Sequence, residues 1–318
     1  MACLNSVIQE IPETMPVYVV SHERPDGDAL GSQIAFANYL HQRGKQVFVV
    51  LCEPVSDIFK PFFQSTPTIT LKDMNWDEEG FWVALDCNHP QRVHPSLAEK
   101  AFSLVIDHHP KNGDWGEICF LDTKASSTCE ILVKLLKESG YAFDNSCIND
   151  ALYVGLLTDS GNFTHSDISK YTFECAELLV NSGVRPYKIV QQLFHNKSKA
   201  QLKLQSIFLN RVELYAKGRI AVSTLSEEDY KATHTCHGDT EGFVNSLLTI
   251  KNAQIAAFIE YNEIGIKVSL RSSDPSILVN KVAQKFGGGG HPCAAGFKLE
   301  KQQFSFEGLL YELESLFK

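Results

Sequence analysis

VYVVSHERPDGD, residues 17–28, carries the pattern from which the architecture of this chain can be read. A short apolar, β-branched run ends in a turn carrying His22, Asp26 and Asp28, and two later runs end the same way: FWVALD at 81–86 and SLVIDHH at 103–109. Continuous apolar runs of this length mark strands buried on both faces, as in a parallel sheet. Such strands place whatever follows their carboxyl ends in one crevice. His22, Asp26, Asp28, Asp86, Asp107, His108 and His109 are therefore expected to converge.

Carboxylates at that density repel one another and resist ionising unless a cation balances them. Hard oxygen ligands mixed with imidazole, without a thiolate motif, point to Mn²⁺ or a similar divalent ion rather than structural zinc. One octahedral ion cannot use so many ligands and leave room for substrate. Two ions about 3.5–4 Å apart can, and Asp86 is the expected bridge. A fourth segment, INDALYVGLLTDSGNF at 148–163, is an apolar helical run that ends in Asp159, with Gly161 as its stop. Asp28 has a second possible role as N-cap of the following helix, whose apolar stripe is Leu30, Ile34, Ala37 and Leu40.

At 318 residues and 44% hydrophobic content the chain exceeds one comfortable core, so two domains are expected. The nine cysteines form no CxxC pair and read as reduced core residues of a cytoplasmic protein. MACLNSVIQE, residues 1–10, lacks the basic start and apolar core of a signal peptide, and no membrane partner is expected. A net charge of -9, from 29 basic and 38 acidic residues, argues against extended attachment to a polyanion, which draws its affinity from neutralising many phosphates. The substrate should be small.

Strands are expected at 17–21, 46–51, 82–86 and 103–106, with helices at 29–43 and 95–101, giving a doubly wound parallel sheet. Helices follow at about 127–139, 147–158 and 169–183, with Ser126 or Ser127 capping the first and Glu130 placed as a capping-box partner. A helix over 198–216 leads out of this region. Farther on, a helix at 242–248, a hairpin of strands 254–261 and 264–270, and a helix at 276–285 precede a glycine run. Alternation with Ile266, Val268 and Leu270 puts Arg271 on the polar face of its strand. Four glycines at 287–290 could turn backbone N–H groups into an anion-binding concavity, with His291 as a further donor. HTCHG, 234–238, reads as an exposed loop, since no cysteine pair completes a zinc site.

Four motifs in order resemble the DHH phosphoesterase superfamily: HERPDGDALGS, VALDCN, VIDHH and GLLTDSGNF. RSS at 271–273 and GGGGHPCAAG at 287–296 resemble the DHH-associated C-terminal domain. The resemblance implies an α/β fold: a doubly wound parallel-sheet DHH domain at 1–187, a helical linker at 188–210 and a smaller α/β DHH-associated domain at 211–318, with the active site in the cleft between the domains. It implies that His22, Asp26 and Asp86 hold one ion, while Asp28, Asp86, His108 and Asp159 hold the other. His109 would face the substrate phosphate, Asp107 would orient an imidazole, and Arg271, Gly288, Gly289, Gly290 and His291 would bind substrate.

Enzymes with this pair of domains resemble the oligoribonucleases that trim short RNA oligonucleotides and dinucleotides to mononucleotides, many of which also convert pAp to AMP. Two divalent ions, Mn²⁺ first among them, and a possible homodimer go with that resemblance. A phosphodiesterase for cyclic or linear dinucleotides is the enzymatic alternative. From another class comes an inactive nucleotide sensor, which should lack a ligand, whereas every ligand position here is filled.

Overall fold

The computed structural model describes residues 3–76, 79–110, 113, 115–165, 168–263 and 265–317. Two compact units divide the chain between Asn196 and Lys197.

The first unit runs α1 (Leu4–Glu10), β1 (Val17–Val20), α2 (Gly27–Gln42), β2 (Val47–Leu51), β3 (Thr68–Thr70), β4 (Phe81–Leu85), β5 (Leu104–Asp107) and β6 (Ile118–Leu121). Four helices follow: α3 (Thr128–Glu138), α4 (Ser146–Asp159), α5 (Lys170–Asn181) and α6 (Pro186–Phe194). The six strands form one parallel sheet in the order β3-β2-β1-β4-β5-β6. Winding goes outward in both directions from β1 and β4, so the strand order reverses between them. A parallel α/β sheet opens its ligand crevice at that switch point, beyond the carboxyl ends. His22 follows β1 and Asp86 follows β4.

Alternate side chains of each strand serve opposite faces. Val17 and Val19 of β1 join Leu30 and Ile34 of α2 and Leu152 and Leu156 of α4 in the main core. Tyr18 and Val20 face the other way beside Trp82 of β4, where Leu97 and Phe102 cover the sheet from irregular segments. The helix expected at 95–101 is reduced there to a 3₁₀ turn, Pro95–Leu97. His94 accepts a hydrogen bond from Ser96 N through its ring and Pro95 opens the turn, and one turn is too short to offset the cost of helix nucleation. α2 and α4 approach closely because Gly31 and Gly155 carry no Cβ. One built on Gly31 would stand 2.4 Å from the Ala151 carbonyl oxygen of α4, and one on Gly155 would stand 2.6 Å from Asp28 Oδ1 of α2.

The second unit runs α7 (Lys199–Asn210), β7 (Glu213–Tyr215), β8 (Ile220–Ser226), α8 (Glu227–Thr233), α9 (Phe243–Leu247), β9 (Ile255–Tyr261), β10 (Ile266–Ser272), α10 (Val279–Lys285), β11 (Gly289–His291), β12 (Ala294–Leu299) and α11 (Phe306–Ser315). Its six-stranded sheet has the order β11-β12-β10-β9-β8-β7, parallel only between β8 and β9. The stretch 188–210 is divided between the units: Ile189 and Leu193 pack into the first core, Leu204 and Phe208 into a core of the second. The helix expected over 198–216 stops at Asn210, and residues 213–215 pair with 220–222 instead.

Alternation along β10 holds, with Ile266, Val268 and Leu270 buried and Lys267, Ser269 and Arg271 partly exposed. Ile264, where the expected strand begins, lies outside the described residues. In place of an open glycine loop, Gly289–His291 is an edge strand paired with β12. HTCHG is largely exposed as expected, yet the His237 ring reaches the buried Glu260 at 3.0 Å.

Candidate metal centre

Each ligand candidate of the first unit sits where a strand or helix ends. His22 and Asp26 lie in the turn after β1, Asp28 in the first turn of α2, Asp86 just past β4, Asp107 at the last residue of β5 with His108 and His109 beyond it, and Asp159 at the last residue of α4. Tertiary folding brings them together around Asp86, which is buried. Its Oδ2 is 3.5 Å from His22 Nε2, and its Oδ1 is 3.5 Å from both His108 Nε2 and His109 Nδ1. His108 Nε2 also stands 3.2 Å from Asp159 Oδ2, and His22 Nε2 stands 3.9 Å from Asp26 Oδ2. Asp86 belongs to three overlapping clusters whose ligand atoms lie within 4.8 Å of one another: with His22 and Asp26, with Asp28 and His108, and with Asp107 and His109.

The donor set fits divalent ions. Two oxygen or nitrogen ligands on one ion of this class stand roughly 3 Å apart at a right angle, close to the spacings found. His22 Nδ1 lies 2.9 Å from the Glu23 carbonyl oxygen and His108 Nδ1 lies 3.2 Å from that of Ala125. A carbonyl can only accept, so both rings carry hydrogen at Nδ1 and turn Nε2 toward the carboxylates, the tautomer a metal-binding imidazole needs. His109 differs. Its Nδ1 is 2.7 Å from Asp107 Oδ1, which also accepts the His109 backbone N–H at 3.2 Å.

Electrostatics point the same way. Burial, reinforced by Asp86, pushes the Asp28 carboxyl up to about 7. Burial also opposes charge on Asp86 and His22, yet the imidazoles around Asp86 hold its carboxyl below the ordinary range, and the Asp86 and Asp26 carboxylates pull His22 up to about 9. Protons thus stand where a cation would otherwise balance the carboxylates.

Of Asp28's two possible roles, capping α2 falls to Asp26, whose Oδ1 accepts from Asp28 N and Ala29 N at 3.0 Å each. Asp28 instead receives the amino end of α3, from Thr128 N at 2.7 Å and Cys129 N at 2.9 Å. Thr128 also donates its hydroxyl to Asp86 Oδ1 at 3.2 Å. Sequence reading missed Thr128. The string ASSTCE was visible as a helix start, but nothing in it shows which carboxylate meets that start. Ser127 caps α3 as expected, while Glu130 reaches one residue farther back than a capping box would, to Ser126 N and Oγ. Phe163 stacks on Phe173 at the edge of the core, with ring centroids 5.5 Å apart. Arg92 reaches Asn88 Oδ1 at 3.4 Å, and its carbonyl accepts Glu23 N–H, bracing the turn after β1.

In the second unit, cross-strand pairing puts Arg271 opposite Ala294 and Ala294 opposite His291. Directly paired residues share a face, so Arg271 and His291 flank Ala294 on one surface, two strand spacings or about 10 Å apart. Gly289 lies on that surface too, while Gly290 is paired with Ala295, on the opposite face. Gly288 admits the strand: a Cβ there would stand 2.2 Å from the Gly296 carbonyl oxygen.

A parallel sheet with carboxylates and imidazoles gathered at its switch point, followed by a mixed-sheet unit, matches a known pair of domains. Residues 16–156 match the DHH family, N-terminal domain, and residues 218–318 match the DHHA1 domain. The chain belongs to the DHH family. It is 27% identical over 293 residues to the bifunctional oligoribonuclease and PAP phosphatase NrnA of Thermus thermophilus, covering 90% of this chain and 84% of that one. It is 30% identical over 292 residues to the uncharacterized protein MG371 of Mycoplasma genitalium, covering 89% and 86%. Among solved structures, an exopolyphosphatase-related protein from Bacteroides fragilis superposes with a TM-score of 0.85 at 25% identity, covering 98% of this chain and 93% of that one.

Proposed function

We propose that this protein is a divalent-metal-dependent phosphoesterase that hydrolyses short RNA oligonucleotides and dinucleotides to mononucleotides and converts pAp to AMP. The observation that carries the reading is Asp86, a buried carboxylate shared by three ligand clusters on the crevice side of the sheet. Support for the substrate class comes from relatives named for these two activities over most of both chains' lengths.

In this reading His22, Asp26 and Asp86 hold one ion, and Asp28, Asp86, His108 and Asp159 hold the second, both most simply Mn²⁺. Such a pair of ions supplies an activated water near neutral pH and a positive clamp on the phosphoryl group. The side chains supply the rest. Asp107 fixes the ring of His109 at 2.7 Å, so that its other nitrogen can give a proton to the departing oxygen or donate a hydrogen bond to the phosphate. Arg271 and His291 hold substrate phosphate, with Gly289 at the strand start keeping that face of the sheet edge low enough for close approach. Nine cysteines without a CxxC pair support placing the enzyme in the cytoplasm; among the described residues no helix is long and apolar enough to cross a membrane.

The test is a product-resolved panel with Mn²⁺ present: RNAs of two to five nucleotides, pAp, and cyclic dinucleotides. Mononucleotides from the short RNAs and AMP from pAp are expected. Turnover of cyclic dinucleotides alone, or tight binding without turnover, would overturn the assignment.

A further inference from the structure

We infer that Thr128 and Glu130 are positioning residues for the metal centre, acting through the segment 125–130 that enters α3. Four contacts from this short segment reach three separate ligand candidates. The Ala125 carbonyl holds His108 Nδ1 at 3.2 Å. Thr128 N and Cys129 N each take one oxygen of Asp28, at 2.7 and 2.9 Å. The Thr128 hydroxyl takes Asp86 Oδ1 at 3.2 Å. Asp86 and His108 follow two different strands and Asp28 lies in the first turn of α2, so a single rigid segment sets their mutual spacing.

Glu130 makes that segment rigid. It is a buried carboxylate, 3% exposed, and it faces away from the ligand cluster toward its own support. Its Oε2 accepts three hydrogen bonds: from Ser126 N at 3.2 Å, from Ser126 Oγ at 2.6 Å and from Thr172 Oγ1 of α5 at 2.8 Å. Burying a carboxylate is costly unless hydrogen bonds replace its water, and these three bind the segment to a second helix. Ser127 adds the N-cap, accepting Glu130 N at 3.0 Å. The geometry also restricts Asp28. With one N–H on each of its oxygens, the carboxylate cannot rotate, and it meets an ion with lone pairs already fixed in direction. Groups that hold ligands in this way typically change metal affinity 10–100-fold when removed.

The inference rests on the metal-centre reading above but not on the substrate assigned there. Titration of Mn²⁺ into the full-length, metal-stripped protein, followed by calorimetry and by the Mn²⁺ electron-spin-resonance signal, needs no substrate. Thr128→Val keeps the backbone N–H and the shape and removes only the hydroxyl. It should weaken Mn²⁺ binding about 10-fold while leaving the melting temperature in EDTA unchanged. Thr128→Ser should restore the affinity. Glu130→Ala should weaken binding by about 10–100-fold, and where hydrolysis is measured it should lower kcat more than it raises KM. Wild-type Mn²⁺ affinity in Thr128→Val, or a Thr128→Ser variant no better than Thr128→Val, overturns the inference. Normal Mn²⁺ binding by the wild type without hydrolysis of any panel member overturns the substrate reading and leaves this one standing.

Discussion

At the scale of single residues, Asp86 joins backbone and chemistry. It leaves β4 with φ of +54°, a left-handed conformation that aspartate tolerates better than most residues because its short side chain hydrogen-bonds locally. Its N–H still donates to the Ile106 carbonyl at 3.0 Å, so the strand hydrogen bonding persists while the chain turns. Asp86→Asn keeps the size and the tolerance for positive φ but removes the charge that three imidazoles face. It should lose at least about 100-fold in turnover with an unchanged far-UV circular dichroism spectrum; near-normal turnover would overturn the bridging role proposed for Asp86. The position of Asp86 was legible, because an acidic residue closing an apolar run is a local pattern. Asp28 was legible only as a choice between a cap and a ligand. Its partners, Thr128 N and Cys129 N, lie 100 and 101 residues away, and no periodicity connects them.

Among the elements, the long apolar ones were readable and the short ones were not. β1, β2, β4 and β5 and helices α2 to α5 declare themselves by composition and spacing. β3, β7 and β11 have three residues each, too few for alternation to register, and they exist because a neighbouring strand offers its edge. The longer β9/β10 hairpin is locked by a buried charge. Buried Glu260 on β9 accepts from Lys267 Nζ and from Tyr230 Oη, each at 2.7 Å, and meets His237 Nδ1 at 3.0 Å. Burial opposes ionisation, yet these partners hold its carboxyl below the ordinary glutamate value of 4.5. A depressed folded value means the stabilisation is complete above the unfolded value and fades as pH falls through the folded one. Glu260→Gln should therefore be less stable than wild type by about 1–3 kcal/mol at pH 7, in denaturant unfolding of the full chain. The difference should shrink as pH falls from 4.5 through the lowered folded value. A gap of equal size at pH 7 and pH 3 would mean that charge is not what Glu260 contributes.

For the whole molecule, the ligand candidates clustered around Asp86 all come from the first unit, so ion binding at the proposed centre should stabilise that unit and leave the other alone. A ligand at 100 times its Kd adds about 2.7 kcal/mol to the state that binds it. For a unit of this size that raises the melting midpoint on the order of 5–10 °C. Calorimetry of the full chain with Mn²⁺ and then with EDTA should show one transition moving and a second staying put. Equal shifts in both, or none, would contradict a metal centre confined to residues 22–159.

The parallel sheet and the identity of the ligand candidates were already written in the amino-acid sequence, as the pair of units was in its length. The sheet and the ligands depend on patterns within a dozen residues: β-branched runs, helical stripes, and acids and histidines at the ends of both. Only the tertiary structure decided the arrangement of those ligands. It placed the switch point between β1 and β4, assigned the α2 cap to Asp26, and delivered the start of α3 to Asp28 and Asp86. It also turned the glycine run into an edge strand that sets Arg271 and His291 on one face. Such pairings join segments far apart in the chain, and they arise from the register of strands and the seating of helices, which no local pattern encodes.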